Sequence, residues 1–475
     1  MFNIADIIRV TQGAILNGDV SVRITGVSTD SRTLLPGTLF VAIKGQKFDG
    51  HDCLSDAARR GAAGCVIEQE WGRAHRDAVC ALGLPAVLVA DTVGALGNIA
   101  RAHRMKFAVP VVGVTGSNGK TTTKEMIAAI LGARYNVLKS QGSFNNHIGV
   151  PMSLLGLTSF HTAAVFELGM NHRGEIRGLA AIASPTIAVI TNAAEAHMEF
   201  FNGLPDIIEA KCELLERLGH DGIAVVNADS EALYSAAQRY TANLVGVGLK
   251  KGCRYRASNV VCHHDGVVFT LNERFTFRLY VLGEHNVHNA LAAIAVGDLL
   301  GIDMEAMRER LEQFKPVSLR METVNCNGVK IIADCYNANP HSMAAAVRTL
   351  TAVTDPARKI VVFGDMRELG GASVEHHRHI GQLIAAQKIA FLITVGKEAA
   401  HAAAAAEETG MDKKNIFVFS GTDEAYKCLA GLIQPGDVVL LKGSRSMKME
   451  QVLKNIVAGN EAGAGVLKSG AADKE

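Results

Sequence analysis

The stretch from Gly113 to Thr122, GVTGSNGKTT, constrains the fold more than any other part of the chain. It follows the apolar run Val109-Pro110-Val111-Val112, which reads as a buried strand, and precedes Thr123 to Leu131, whose apolar spacing suits a helix. A strand, a glycine turn and a helix start bring several backbone N–H groups and the positive end of a helix dipole to one point, which favours phosphate. Gly116 and Gly119 allow a tight turn, Lys120 can reach outer phosphates, and the Thr121 hydroxyl can join a magnesium shell. An ATP site is the expectation. The strict G-x-x-x-x-G-K-[ST] pattern fails at Val114, and a chance glycine turn is the bland alternative.

After this loop, strand-like and helix-like segments alternate, the mark of a mostly parallel sheet covered by helices. Ala163 to Phe166 ends on Glu167, and Thr186 to Ile190 ends on Thr191-Asn192 with Glu195, His197 and Glu199 beyond. In open α/β sheets the ligand crevice lies past the carboxyl ends of the strands, so Glu167, Asn192 and His197 should gather near Lys120. A carboxylate there can hold magnesium, and an imidazole can hold a metal or a phosphate oxygen. Lys211 lies in an amphipathic pattern from Glu209 to Glu216 and is by default a surface charge. Alternating segments between Gly246 and Leu282 predict antiparallel strands at the sheet edge. A strongly apolar helix then runs from about His285 to Leu300, on which Asn286 and Asn289 sit one turn apart. They can pair with a purine edge or cap the helix.

A chain of 475 residues is too long for one ordinary core, and its 48% hydrophobic content can fill about three domains. The divisions fall near 1–106, 107–316 and 317–475. They enclose a small α/β domain, a central P-loop ATPase-like domain with a mostly parallel sheet, and a Rossmann-like doubly wound domain. Lysine plus arginine number 48 against 47 aspartate plus glutamate, so charge makes no case for nucleic acid. No apolar run approaches the roughly 18 residues of a membrane span, and the first residues resemble no signal peptide. Nine scattered cysteines without a C-x-x-C pair fit a reducing cytoplasm, and a monomer is expected.

Ser28, Thr29, Asp30, Ser31 and Arg32 place hydroxyls, a carboxylate and a guanidinium on one bend, which could grip a uracil or a diphosphate. A solvated turn held by Asx-type bonds is the competing reading, and from this stretch alone the stronger one. Gly45 and Phe48 to Asp52 form a second polar loop. In the third domain, strands are expected at 330–334, 359–363, 390–395, 415–419 and 438–441, with polar groups following the first, second and last of them. Glu375-His376-His377-Arg378-His379 invites a metal reading, but no supporting constellation accompanies it. The tail from Gly459 is small and polar and should fray.

Taken together, these blocks resemble the Mur ligases of peptidoglycan assembly over nearly the whole chain. The resemblance rests on Thr115 to Thr122, Ser143 to Pro151, Glu167 to Asn171, Thr191-Asn192 with Glu195-Ala196-His197, and His285-Asn286 with Asn289-Ala290. Tyr336 to Pro340 with Ser342-Met343, Gly364-Asp365-Met366 with Glu368-Leu369-Gly370, and Lys442 to Arg445 are similar to the type that adds D-alanyl-D-alanine. The resemblance implies ATP-driven joining of that dipeptide to UDP-N-acetylmuramoyl-tripeptide, through an acyl phosphate. It implies ATP contacts from Thr115, Gly116, Ser117, Asn118, Gly119, Lys120, Thr121, Asn286, Asn289, Arg320 and Asp334, and magnesium ligation by Thr121, Glu167 and His197. Lys120, Glu167, His197 and Lys211 would be catalytic, and Lys211 matches a position that carries a carbamate in related ligases. Ser28, Thr29, Asp30, Ser31, Arg32, Gly45, Asp49, Gly50, His51, Asn145 and Asn146 would hold the UDP substrate, overturning the solvated-turn reading. Tyr336, Asn337 and Asn339 would hold the dipeptide. Departures stand at Leu319, where glycine often precedes the arginine, at Ala333 and Cys335, where acid and serine are frequent, and at Cys53, which replaces an aromatic. A folylpolyglutamate or cyanophycin synthetase would share the ATP centre without the Ser28 to Arg32 block, and a nucleotide switch would form no amide bond.

Overall fold

A computed structural model describes residues 2–196, 198–241, 243–353 and 358–458. The tail from Gly459 lies outside the described residues. The chain is α/β and divides into two compact units, one formed by residues 1–115, 134–189 and 213–224, the other by the rest.

In the first unit, strands Ala14–Asn17, Ala86–Val89, Gly64–Glu68, Thr38–Val41 and Gly26–Ser28 form a sheet in that order, parallel except for the first. Every residue of Thr38–Val41 and Ala86–Val89 is buried, because parallel strands are covered on both faces. Helix Thr92–Arg104 starts where the Asp91 carboxylate accepts from the Val93 and Gly94 N–H groups. Its last residue, Arg104, is buried and donates to four carbonyls: Phe107 at 2.6 Å, Ala183 at 3.1 Å, Val109 at 3.3 Å and Ser184 at 3.4 Å. The strands Ile187–Ile190, Val111–Thr115, Ala163–Glu167 and Val137–Lys139 lie side by side in that order. Glu167 is paired in register with Val114, so the expected carboxylate sits at the same sheet edge as the start of the phosphate loop.

In the second unit, strands Phe275–Leu279, Gly266–Leu271 and Tyr255–His263 are antiparallel, as expected, and continue into Leu244–Gly248 and Ile223–Asn227. Helix His285–Leu299 packs against helix Lys120–Leu131. At Gly297 an added Cβ would lie 2.6 Å from Ile130 Cγ2, so only glycine permits that approach. The last sheet runs Glu322–Cys326, Val329–Asp334, Val438–Lys442, Lys359–Gly364, Phe391–Val395, Ile416–Phe419. It is parallel apart from the first strand. Residues alternate between two cores. Ile332, Val361, Phe363, Leu392 and Leu440 face helices Pro340–Ala352, Ser373–Ala386 and Ala399–Glu408, whereas Ile331, Val362, Ile393, Val439 and Leu441 pack with Ala425, Leu429 and Val452. Two covered faces make this a doubly wound sheet. Five of its strands follow the sequence expectation to within one residue. The sixth, Glu322–Cys326, joins its neighbour through Asn327-Gly328, both at positive φ, the turn that an Asn-Gly pair favours.

Candidate active site

The phosphate loop is shaped by two glycines. Gly116 has φ +151°, and a Cβ there would lie 1.9 Å from Thr191 Oγ1; Gly119 has φ +80°, and a Cβ there would lie 2.3 Å from Asn289 Oδ1. The backbone therefore runs where no other side chain fits. The loop is strapped to the next strand end. Asn118 N donates to Asn192 Oδ1 at 2.9 Å, and Asn118 O accepts from Thr191 Oγ1 at 2.6 Å and Asn192 Nδ2 at 3.0 Å. Ser117 Oγ bridges to the Ala194 carbonyl at 2.8 Å and accepts from Ala194 N at 2.9 Å. Lys120 opens the helix and curls back so that Nζ donates to Gly116 O at 2.8 Å. A glycine-bent loop, a helix N-terminus and an ammonium thus meet at one point, a combination that fits a phosphate group.

Asn286 and Asn289 are buried and do not cap their helix, whose N-cap is Glu284. Asn286 Nδ2 donates to Leu282 O at 2.8 Å, Asn289 Nδ2 donates to Asn286 Oδ1 at 2.8 Å, and Asn289 Oδ1 accepts from Thr123 Oγ1 at 3.1 Å. This chain of amides holds the phosphate-loop helix at Gly119. The surface reading of Lys211 is corrected. Helix Leu204–Cys212 buries it, with 2% of its surface exposed, because its side chain lies on the covered face toward Lys120. Burial and the Lys120 ammonium both push its proton off, well below the ordinary lysine value.

A stability consequence follows for Lys211. With its native pKa depressed, the unfolded chain binds more protons over the range up to 10.5, so stability rises with pH across that window. Relative to Lys211→Met, wild-type unfolding free energy should climb by up to about 1.4 kcal/mol per pH unit there. Parallel stability curves for the two proteins would refute this.

The C-terminal strand ends form a second polar group within the same unit. Arg320 Nη2 donates to Thr121 Oγ1 at 3.0 Å while its guanidinium stacks 4.1 Å from the Tyr336 ring centre. Buried Lys442 donates to Asp334 Oδ2 at 2.6 Å and to Asn337 O at 3.0 Å. Asn337 Oδ1 accepts from Ala338 N, and Asn339 caps helix Pro340–Ala352 while its side chain meets Asn118. Asp365 is buried and accepts from Ala399 N at 2.8 Å, and Ser444 Oγ accepts from Arg367 N at 2.8 Å, which ties the three strand-end loops together. His377 accepts from Met366 N through Nε2 and donates from Nδ1 to Ser373 O, so it serves this loop network. Among the described residues no group of three or more His, Cys, Asp or Glu side chains is arranged to hold a metal. His197 lies outside the described residues.

In the first unit, the buried Glu167 carboxylate accepts from Asn145 Nδ2 at 2.8 Å, and Glu167 N donates to Ser140 Oγ. Asn146 Oδ1 accepts from Gly149 N at 2.8 Å and so supports the start of helix Gly149–Leu154. In the Ser28 to Arg32 bend, Ser28 Oγ bonds Asp30 on both sides, and Arg32 grips Asp30 with Nε at 2.9 Å and Nη2 at 2.7 Å. That fork holds the Asp30 carboxyl down at about 2. Thr29 is half-buried and Ser31 buried. Gly45 N donates to Phe48 O, and at Gly50 a Cβ would lie 2.6 Å from Ile43 N. His51 is buried. Its Nδ1 donates to Asp49 Oδ1 at 2.6 Å and its Nε2 accepts from Glu68 N at 3.1 Å, so both nitrogens are engaged within the fold. Glu213 went unnoticed in the sequence. Its buried carboxylate accepts from Gly174 N at 2.7 Å and Arg177 N at 3.1 Å, capping helix Glu175–Ala183 from another segment.

Comparison with known proteins decides the family. The Mur ligase middle domain matches residues 114–297, the Mur ligase glutamate ligase domain residues 319–445, and the Mur ligase family catalytic domain residues 23–104. A UDP-N-acetylmuramoyl-tripeptide–D-alanyl-D-alanine ligase of Bacillus subtilis is 36% identical over 91% of this chain and 93% of its own. The chain belongs to the Mur ligase family. Within it, the likeness is to the MurF type. A MurF crystal structure from Acinetobacter baumannii has a TM-score of 0.86 at 32% identity, covering 96% of this chain and 99% of that one. A MurF ligase from Thermotoga maritima, solved in complex with ADP, has a TM-score of 0.81 at 29% identity, covering 94% and 100%.

Membership gives the departures a physical reading. Leu319 has φ +60°, the left-handed region, so this Mur ligase carries a side chain where glycine is at ease. Cys335 is buried and its thiol reaches the Leu441 carbonyl at 3.3 Å, the bond a serine hydroxyl would make. Burial pushes that thiol far above its usual range. Ala333 sits in an apolar core, and half-buried Cys53 packs against another.

Proposed function

We propose that this Mur ligase is an ATP-dependent, ADP-forming ligase that joins D-alanyl-D-alanine to UDP-N-acetylmuramoyl-tripeptide, giving the pentapeptide precursor of peptidoglycan. A carboxylate is a poor acyl donor because its leaving group would be oxide. The tripeptide carboxylate therefore attacks the γ-phosphorus of ATP, the β–γ bond breaks to release ADP, and an acyl phosphate results. The dipeptide amine attacks the acyl carbon, the C–O bond to phosphate breaks, and the amine loses its proton. Such transfer needs positioning and charge neutralisation more than covalent help from the protein.

In this reading the phosphate loop from Thr115 to Thr121 holds ATP, with Asn286 and Asn289 at the adenine and Arg320 and Asp334 at the nucleotide. Magnesium bound by Thr121, Glu167 and His197 would neutralise phosphate charge. Residues 1–106 hold the UDP end through the Ser28 to Arg32 bend and the Gly45 to His51 loop, with Asn145 and Asn146 toward the peptide. Residues 107–316 carry ATP, and residues 317–475 carry the dipeptide at Tyr336, Asn337 and Asn339. Lys211, whose proton burial disfavours, is suited to accept a carbamate. The enzyme acts as a monomer in the cytoplasm, where ATP and nucleotide-linked sugars are available. No described helix is long and apolar enough to cross a membrane.

The observation that carries the proposal is the phosphate cradle meeting the Tyr336 to Asn339 block within one unit. The names of relatives matched over most of the chain supply the substrates. Phosphate release should require both UDP-muramoyl-tripeptide and D-alanyl-D-alanine together. Release that proceeds at the same rate without either would remove the ligase reading.

A further inference from the structure

The phosphate loop and the amide-rich block after strand Val329–Asp334 stand 221 residues apart in sequence and meet through two side-chain amides. Asn339 Nδ2 donates to Asn118 Oδ1 at 2.8 Å, and Asn118 Nδ2 donates to Asn339 Oδ1 at 3.4 Å, so each amide both gives and accepts. The orientation of Asn339 is set by its helix. Its Oδ1 accepts from Ser342 N at 2.8 Å, and Ser342 Oγ accepts from Asn339 N at 3.0 Å, a reciprocal capping box. With the oxygen committed to the helix, the amide nitrogen has to face Asn118. The Asn118 backbone is held equally firmly through its bonds to Thr191 and Asn192. Both residues are pinned at the base and touch at the tip.

We propose that this amide pair is a positioning contact coupling the nucleotide loop to the dipeptide block, so that Asn118 influences dipeptide affinity and Asn339 influences ATP affinity. The inference rests on the ligase reading above. An amine must approach the acyl carbon to about 3–3.5 Å, and a fixed register between the loop that makes the acyl phosphate and the block that presents the amine secures that approach. Coupling of this kind is reciprocal, so each residue reports on the ligand of the other side.

Two mutant cycles on the full chain, read as KM for ATP and for D-alanyl-D-alanine in phosphate release, test the contact with opposite signs. Asn118→Ser and Asn339→Ser shorten the side chains out of reach, while serine at 339 still caps the helix. Each single change should raise the far-side KM by about fivefold, and the double should cost no more than the worse single, because one contact can be lost only once. In the aspartate cycle, Asn118→Asp still accepts from Asn339, and Asn339→Asp is met by a turned Asn118 amide. The double sets two carboxylates together and should lose at least about tenfold beyond the product of the singles. If the aspartate double does not fold, the serine cycle decides alone. Multiplicative serine effects, or a far-side KM that stays put, overturn the coupling. A wild-type chain without dipeptide-dependent phosphate release overturns the ligase reading instead.

Discussion

Lys120→Ala should lower ATP-driven turnover by about 10³-fold, while the variant should keep its affinity for UDP-muramoyl-tripeptide. The Lys120 ammonium stands at the mouth of the phosphate loop, 2.8 Å from Gly116 O and 3.3 Å from Ser117 O. Under the proposed function alanine withdraws the charge that would neutralise the transferring phosphoryl group, and a preorganised charge of this kind is worth several kcal/mol of transition-state stabilisation. The helix itself should persist, since alanine is the best helix former. Single-turnover phosphate release measures the first quantity, and calorimetric titration with the UDP substrate the second. Equal loss of both would mean that substrate capture by residues 1–106 depends on the loop.

Gly116→Ala should be nearly as damaging by a different route. The new methyl group would sit 1.9 Å from Thr191 Oγ1 and 3.2 Å from Asn192 N, and φ +151° is a conformation that L side chains rarely adopt. Relief requires the loop to leave Thr191 and Asn192, which breaks the three bonds that place Asn118. A destabilisation of about 2–4 kcal/mol in denaturant unfolding is expected, with ATP turnover down by about 10²-fold. Gly178→Ala is the control. It lies in helix Glu175–Ala183 with open space around it and should gain about 0.5 kcal/mol. A Gly116→Ala protein as stable and active as wild type would refute the proposed loop geometry.

Much of this architecture is legible in the chain because parallel strands covered on both faces leave unbroken apolar runs, and each run here ends in polar residues. Val111–Thr115 and Val438–Lys442 are buried throughout, and the apolar runs at 109–112 and 438–441 mark both, the first shifted toward its N-terminal side. The hairpin at Asn327-Gly328 carries an equally plain local signal. Other features depend on what a distant segment places against a residue. Lys211 has the spacing of a surface lysine, and only tertiary packing buries it. Glu213 looks like the end of a charged helix face, yet it caps a helix nearly forty residues earlier in the chain, where local periodicity carries no information. Asp334 and Lys442, paired at 2.6 Å, are separated by 108 residues. The same holds for Nε2 of His51, which accepts from the Glu68 N–H 17 residues away.

The four carbonyls gathered by Arg104 act as a rivet between the end of its helix and the turn at Ala183-Ser184. A fragment beginning at residue 107 would forfeit the guanidinium and leave the Phe107, Val109, Ala183 and Ser184 oxygens to find other donors. Dissection of the protein into separately expressed pieces is therefore best made elsewhere, with helix Thr92–Arg104 carried along as part of whatever lies downstream.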